Sequence, residues 1–408
     1  MSLLPYSASE VKSRQSPYRS HFNRGRVARA ESIGDLRAMA MRRLPRFAAE
    51  YLEGGAEEEQ TLLRNRTAFD RWIFKPRVLR DQTHRDIGRN ILGSRSTLPF
   101  AIAPTGYNGL LWNQGDLCLA QAAAAAGIPF SQSAVSNVSV SEVGAISGLR
   151  HWFQLYVFGP DEVWQTLLHR AANAGCETVM FTVDSKVLGN REWDRRNYAD
   201  LLKLSWNCKL DVLAHPLWLA QVMGRGMPKL ANVAEFVPQG EQDAFEISRW
   251  VRAHQRLDLG WSTVARLRES WPGKLLLKGI QHEDDLRRAL DAGVDGVVLS
   301  NHGGRQMDRA AAPIELVAAA RAISGRDFCI LVDSGFRRGT EIMQAIALGA
   351  DAVLLGRAAL YGLAAGGQAG VARAIEILRM EIDRNLVLLG LDSIDELTPD
   401  LLFPASNV

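Results

Sequence analysis

Gly296-Val-Val-Leu299, followed by Ser300-Asn301-His302-Gly303-Gly304-Arg305-Gln306, decides the fold. The first four residues form a β-branched apolar run, the pattern of a strand buried on both faces. The next seven are polar or glycine, so the block sits at the C-terminal end of that strand. In an α/β barrel this is the end that carries the active site. His302 can exchange a proton near neutral pH. Arg305 keeps its charge and can hold a carboxylate through two parallel hydrogen bonds. Gly303 and Gly304 admit backbone angles that a Cβ forbids. A base beside a carboxylate clamp suits a substrate with an abstractable hydrogen next to a carboxylate. Taken alone, the stretch also reads as a polar loop with a solvated histidine, so the rest of the chain has to decide.

Outward from this stretch, strands and helices alternate. Apolar strand candidates are 99–103, 128–130, 152–156 and 178–182, then 275–278, 297–300, 329–333 and 352–356. Helical patterns separate most of them, at 115–126, 161–174, 283–292, 313–323 and 339–348. Near-continuous apolar strands alternating with helices mean a parallel sheet. Eight such strands predict a TIM (β/α)8 barrel. An open doubly wound sheet is the weaker alternative, because no Gly-x-Gly-x-x-Gly follows a strand. Before the barrel, Ile33, Leu36 and Met39, then Leu44, Phe47, Tyr51 and Leu52, predict helices over 31–95 that cap it. Residues 1–30 carry Lys12, Arg14, Arg19, Arg24, Arg26 and Arg29 against Glu10, a basic N-terminal arm. The barrel spans 96–390, and 391–408 form a C-terminal tail. A long insertion after the fourth strand, about 186–272, is a lid, a binding insert or an interaction segment.

Composition narrows the function. A net charge of +3 over 408 residues gives no reason to expect a nucleic-acid partner. No window approaches the ~18 apolar residues of a membrane span, and the N-terminus lacks the apolar core of a signal peptide. Cys118, Cys176, Cys208 and Cys329 lie far apart, which predicts reduced thiols, a cytoplasmic location and no metal site. Within the insertion, 201–233 mixes leucine, valine and tryptophan with Lys203, Lys209, Arg225 and Lys229. That mixture suits peripheral contact with the inner face of a membrane, or an apolar face buried as a lid or subunit contact.

The strand ends agree with one another. They carry Pro104-Thr105-Gly106, Ser131-Gln132-Ser133, Gln154 with Tyr156, and Thr182-Val183-Asp184 with Arg191 nearby. The second half carries Lys278, Ser300 with His302, Asp333-Ser334-Gly335-Phe336-Arg337 and Gly356-Arg357. Glycine-bearing loops after strands seven and eight, opening onto helix N-termini, predict a phosphate corner with charge from Arg337 and Arg357. A lysine ending an apolar run predicts either a cation beside a bound cofactor ring or an ion pair with Asp333 or Asp184.

On Ser300–Gln306 and Asp333–Gly339, the chain resembles the FMN-dependent L-2-hydroxy acid oxidases and dehydrogenases, from about Leu44 to about Gly390. Pro104–Trp112, Trp152–Val157, His215–Trp218, Gly226–Asn232 and Leu354–Ala364 are most similar to the mandelate-oxidising branch. The resemblance implies oxidation of a mandelate-like or lactate-like 2-hydroxy acid to the 2-oxo acid. The electrons would pass to quinone or another carrier, with a peroxide-producing oxidase and a non-catalytic flavin binder as alternatives. It implies that His302 is the base, that Asp184 stabilises its imidazolium, and that Arg191 and Arg305 hold the substrate carboxylate. Tyr51 and Tyr156 would bond the substrate. Lys278 would sit by the flavin N1–O2 edge. Ser133, Gln154, Thr182 and Ser300 would bond the isoalloxazine and ribityl parts, beside the Pro104–Gly106 strand end. Asp333, Ser334, Gly335, Arg337, Gly356 and Arg357 would hold ribityl and phosphate. A homotetramer is also implied. Two departures stand out. Asn197-Tyr198-Ala199 replaces the Arg-Phe pair that members often carry, and Gly106 stands where many oxidases have alanine.

Overall fold

The computed structural model describes residues 26–200, 203–224, 226–238 and 244–405. Most of the predicted basic arm, including Lys12, Arg14, Arg19 and Arg24, lies outside these residues. So do Leu201, Leu202 and Arg225 of the insertion and the last three residues of the tail.

Eight parallel strands close into a barrel. They are β1 (Phe100–Ile102), β2 (Phe130–Ser133), β3 (His151–Leu155), β4 (Thr178–Thr182), β5 (Lys274–Ile280), β6 (Gly296–Leu299), β7 (Cys329–Val332) and β8 (Ala352–Leu355). Every residue of β6, β7 and β8 is buried, as unbroken apolar runs require. The TIM barrel expectation is borne out, and the open sheet is excluded by closure. The second strand is a correction. It begins at Phe130 rather than Ile128, because Pro129 has no N–H to give to a ladder. Ser131-Gln132-Ser133, expected to follow the strand, are its buried interior. Gln132 satisfies its amide on the Val138 carbonyl (2.9 Å) and meets His151 Nε2 at 3.0 Å. Pro313 opens a 3-10 turn, so the helix expected over 313–323 starts only at Val317.

Among the described residues, three α-helices stand before the barrel: α1 (Ile33–Arg43), α2 (Arg46–Glu53) and α3 (Gln60–Thr67). Ser32 and Asp35 form a capping box that starts α1 and fixes its buried face of Ile33, Leu36, Met39 and Ala40. Helix α2 buries Phe47, Ala48 and Leu52 and ends over the barrel mouth. Its last carbonyls would lack partners, but Arg305 and Arg357 reach them from β6 and β8. The tail returns to this layer, where Leu402–Pro404 pairs antiparallel with Trp72–Phe74.

The insertion is structured. A hairpin, Tyr198–Asp200 with Lys203–Leu204, leads to a helix at Trp206–Leu213. Trp218 is fully buried and donates its indole N–H to the Leu110 carbonyl (2.8 Å). Asn137 ties the Lys229 carbonyl (2.9 Å) to the Gly109 N–H (2.9 Å). The 201–233 apolar set therefore divides. Trp218 and Val222 pack inward, while Trp206, Leu210, Leu213 and Leu217 are 62–78% exposed. Among the described residues, no helix is long and apolar enough to cross a membrane.

Candidate active site

A cavity of about 270 Å³ opens at the C-terminal ends of the strands, under α2 and the insertion. His302 lies on its wall, one residue beyond Ser300-Asn301, with φ +58°. A non-glycine residue holds that angle only where its surroundings enforce it. Here Asn301 supplies the restraint. Its amide pairs both ways with Asn65 of α3 (2.9 and 2.7 Å), and its oxygen accepts from the Gly304 N–H (3.0 Å). Ser300 Oγ accepts from the His302 N–H (3.0 Å). The histidine is thus aimed by a buried amide pair that sequence reading did not single out.

The imidazole has two distinct faces. Nδ1 lies 3.2 and 3.3 Å from the Asp184 carboxylate oxygens and 3.4 Å from Ser185 Oγ. Nε2 faces the Tyr156 hydroxyl at 3.5 Å. A carboxylate at Nδ1 places the ring proton there and leaves the Nε2 lone pair for the cavity. Burial pushes the imidazolium pKa down, Asp184 opposes, and the net value is below the ordinary one. Burial raises the Asp184 carboxyl, but His302 and Lys278 outweigh it, so Asp184 stays ionised. The pair is a neutral base backed by a carboxylate.

Arg191 and Arg305 share the cavity wall with His302. Arg305 Nη1 donates to the Tyr51 and Gly54 carbonyls (2.7 and 2.8 Å), which leaves Nε and Nη2 for a ligand. Arg191 Nε donates to the Arg305 carbonyl (3.2 Å), which leaves its two terminal nitrogens. Burial and the neighbouring Arg305 bring Arg191 down to about 10. Two cations held together in a closed space favour an anion between them. Tyr51 donates to the Gly106 carbonyl (3.1 Å), and burial pushes its phenol up to about 12. Burial also raises the Tyr156 phenol, so both tyrosines are neutral hydrogen-bonding groups.

At the other side of the cavity, the two readings of Lys278 meet. Its ammonium pairs with Asp333 (3.0 Å) and donates to Ser300 Oγ (2.9 Å), so the structural ion pair exists. Burial lowers its pKa, but Asp333 and Asp184 outweigh it, and the cation also lines the cavity. Ser334, at φ +76°, bonds Asp333 (2.8 Å) and receives the Gly303 N–H (3.1 Å). Pro104, Thr105, Gly106, Thr182, Gly335 and Gly356 also reach the wall. Ser133 and Gln154 stand at the strand ends behind it, with Ser133 Oγ donating to Gln154 Oε1 (2.7 Å).

Whether FMN fits is answered by what these residues leave open. Gln154 Nε2 and Thr182 Oγ1 are buried without hydrogen-bond partners among the described residues, a costly state unless a polar ligand meets them. Gly356 has open space where a Cβ would stand, beside the N-terminus of the helix Arg357–Leu389. Arg337 Nη1 donates to the Phe336 carbonyl (2.7 Å), and its other nitrogens remain available at the wall. Arg357 departs from expectation. Its guanidinium is committed to the carbonyls of Leu52, Glu53, Gly54 and Gly303. What it leaves for a phosphate is its backbone N–H at a helix start, a group with no intrahelical partner. Ring-facing polar groups at one end and anion donors at the other match an FMN.

The FMN-dependent dehydrogenase model matches residues 40–404. The chain belongs to that family. Its FMN dependence and its standing as an enzyme follow. This FMN-dependent dehydrogenase is 43% identical over 374 residues to (S)-mandelate dehydrogenase of Pseudomonas putida, covering 91% of this chain and 93% of that one. It is 38% identical over 372 residues to L-lactate dehydrogenase of Ectopseudomonas mendocina, covering 90% and 97%. The crystal structure of the monotopic membrane protein (S)-mandelate dehydrogenase superposes with a TM-score of 0.88 at 41% identity, covering 92% of this chain and 99% of that chain.

Proposed function

We propose that this enzyme oxidises an L-2-hydroxy acid, mandelate-like or lactate-like, to the 2-oxo acid and passes the electrons to a quinone or another carrier. The observation that carries the reading is the pair of partly free guanidiniums, Arg191 and Arg305, in one cavity with the Nε2 lone pair of His302. Arg191 and Arg305 hold the substrate carboxylate, and the Tyr51 and Tyr156 hydroxyls bond the carboxylate and the 2-hydroxyl. That grip sets C2 before His302. Nε2 receives the substrate proton, and Asp184 stabilises the imidazolium. Bound FMN supplies the two-electron acceptor. Gln154, Thr182 and Ser300, with Ser133 behind Gln154, surround its ring and ribityl chain. Lys278 offers positive charge to it. Asp333, Gly335, Arg337 and the N–H groups after Gly356 take its ribityl and phosphate. Anaerobic addition of (S)-mandelate or L-lactate should bleach the yellow enzyme. Bleaching by neither acid would overturn the reading. Slow reoxidation in air separates a carrier-linked dehydrogenase from an oxidase.

The same reading places the enzyme peripherally on the inner face of the membrane through the insertion. Its support is the stripe Trp206, Leu210, Leu213 and Leu217, exposed at helical spacing, with Lys209 lying over the Trp206 ring (4.7 Å). A homotetramer belongs to it as well. Leu79, fully exposed, and Leu388, 60% exposed, are apolar surface that a further subunit would cover. Light scattering of the purified holoenzyme reads the mass directly.

A further inference from the structure

The loop after β7 is gripped from behind by a residue that does not line the cavity. Arg66, on α3, closes a two-point grip on the Glu341 carboxylate (Nη1 to Oε2 2.9 Å, Nη2 to Oε1 2.6 Å). Its Nη1 also donates to the Gly335 carbonyl. Glu341 is buried, and its Oε2 accepts from the Arg337 and Arg338 N–H groups (2.5 and 3.0 Å). Two more contacts press this layer onto the same loop. Gly335 has φ +98°, and a Cβ there would run into the Asn65 carbonyl oxygen. Phe336 meets Phe69 edge-on, with ring centroids 4.9 Å apart. On the side chain of Arg337, the guanidinium lies over the Tyr361 ring (5.2 Å).

The plain reason for Glu341 is helix capping, because it is the third residue of the helix Gly339–Ala347 and bonds the N–H of Arg338 before it. Capping needs the carboxylate alone. It accounts neither for a forked arginine from α3 nor for that arginine's bond to Gly335, which lies outside the helix. The grip fixes both ends of Gly335–Arg338 against α3, so the Arg337 side chain leaves the loop in one direction. It also sets a cation on Glu341, whose charge would otherwise stand unpaired behind a corner meant for an anion. The Arg337 and Arg338 N–H groups are spent on Glu341, and the Arg338 guanidinium pairs with Glu381 (3.0 Å). What these two residues still offer an anion is the Arg337 guanidinium.

We propose that Arg66 is a positioning residue for the FMN phosphate: through Glu341 and the Gly335 carbonyl it locks the 335–338 loop to α3 and holds the Arg337 guanidinium where the phosphate binds. The proposal rests on the reading that this corner takes the phosphate. The neighbouring Asn65 pairs with Asn301, so one helix is the reference for the phosphate loop and for the His302 loop.

Riboflavin is FMN without its phosphate. The ratio of the riboflavin Kd to the FMN Kd, measured on the full-length enzyme stripped of flavin, therefore reads the phosphate site. A residue that only stabilised the fold would weaken both flavins and leave the ratio unmoved. Arg66→Met should lower the ratio by roughly tenfold or more, with riboflavin still bound close to its wild-type Kd. Arg66→Lys keeps the charge but loses the fork, so it should recover only part of that loss. Should Arg66→Met fail to fold, Arg66→Lys still decides. Arg337→Met is the reference for the corner itself. A ratio lowered in Arg337→Met but at the wild-type value in every Arg66 variant that binds riboflavin would overturn the role of Arg66 and leave the phosphate corner standing. A ratio unmoved in Arg337→Met would overturn the corner and the proposal with it.

Discussion

His302 faces two demands that its neighbours divide between them. It must be neutral to accept a proton and must be stabilised once it has one. Burial keeps it neutral, and Asp184 at Nδ1 rewards protonation. His302→Gln should therefore keep bound FMN and lose flavin reduction by ~10²-fold or more, since general-base catalysis contributes ~10²–10⁴-fold. Stopped-flow reduction with the flavin spectrum as control measures this, and a variant keeping a tenth of the wild-type rate would contradict the assignment. The pH dependence follows with a definite sign. The neutral imidazole is the active form, and burial holds its pKa below the ordinary histidine value against the pull of Asp184, so the acid limb of kcat/KM should lie below the range of an ordinary histidine. Asp184 raises that pKa, so Asp184→Asn should move the acid limb to still lower pH while the plateau drops. An unmoved limb would mean that His302 is not the titrating group.

The proposed membrane contact belongs to elements rather than to single residues. The helix Trp206–Leu213 and the turn after it face outward with an apolar stripe and inward with Cys208 and Trp218. Trp218 clips the segment to Leu110, so its outer face can change without moving the barrel mouth. Replacing Trp206, Leu210, Leu213 and Leu217 with serine should shift the enzyme from the membrane fraction to the soluble fraction. Flavin content and dye-linked turnover should survive. A wild-type enzyme already wholly soluble, without affinity for anionic vesicles, would instead assign the stripe to a subunit contact or a lid.

At the scale of the whole molecule, two buried titratable groups that do not line the cavity pull stability in opposite directions. Burial pushes His151 down to about 4, with the Ala174 backbone opposing. Burial also pushes Asp116 up to about 6, against hydrogen bonds from Asn108, Ser136 and the Asn137 N–H. Between pH 6 and 4 the unfolded chain takes up a proton at His151 that the folded chain refuses, which weakens the fold as pH falls. Over the same window the folded chain takes up a proton at Asp116 that the unfolded chain mostly refuses, which strengthens it. The two slopes nearly cancel. Asp116→Asn removes one of them, so the variant should lose about 2 kcal/mol relative to wild type on going from pH 6 to pH 4. Denaturant unfolding of both proteins at the two pH values reads this, and parallel curves would refute it.

Strand alternation, the barrel and the residues at the strand ends were legible in the linear chain, because apolar periodicity and terminal polarity are local properties. His302, Arg305, Arg191 and Tyr156 could be named from position for the same reason. What each donor does once there depended on partners distant in sequence. Arg357 was expected to offer its side chain to phosphate, but the exposed end of α2 claims the guanidinium first and leaves only the backbone. The sequence allows two readings of Lys278, and packing combines them by placing Asp333 beside it at the cavity wall. Asn65 and Asn301, 236 residues apart, aim the histidine, while Arg66 and Glu341, 275 residues apart, brace the loop after β7. Periodicity lies in the chain itself, whereas the pairing of a hydrogen bond or a charge exists only after the chain has closed on itself, so the tertiary structure alone decided which groups are satisfied and which still await a ligand.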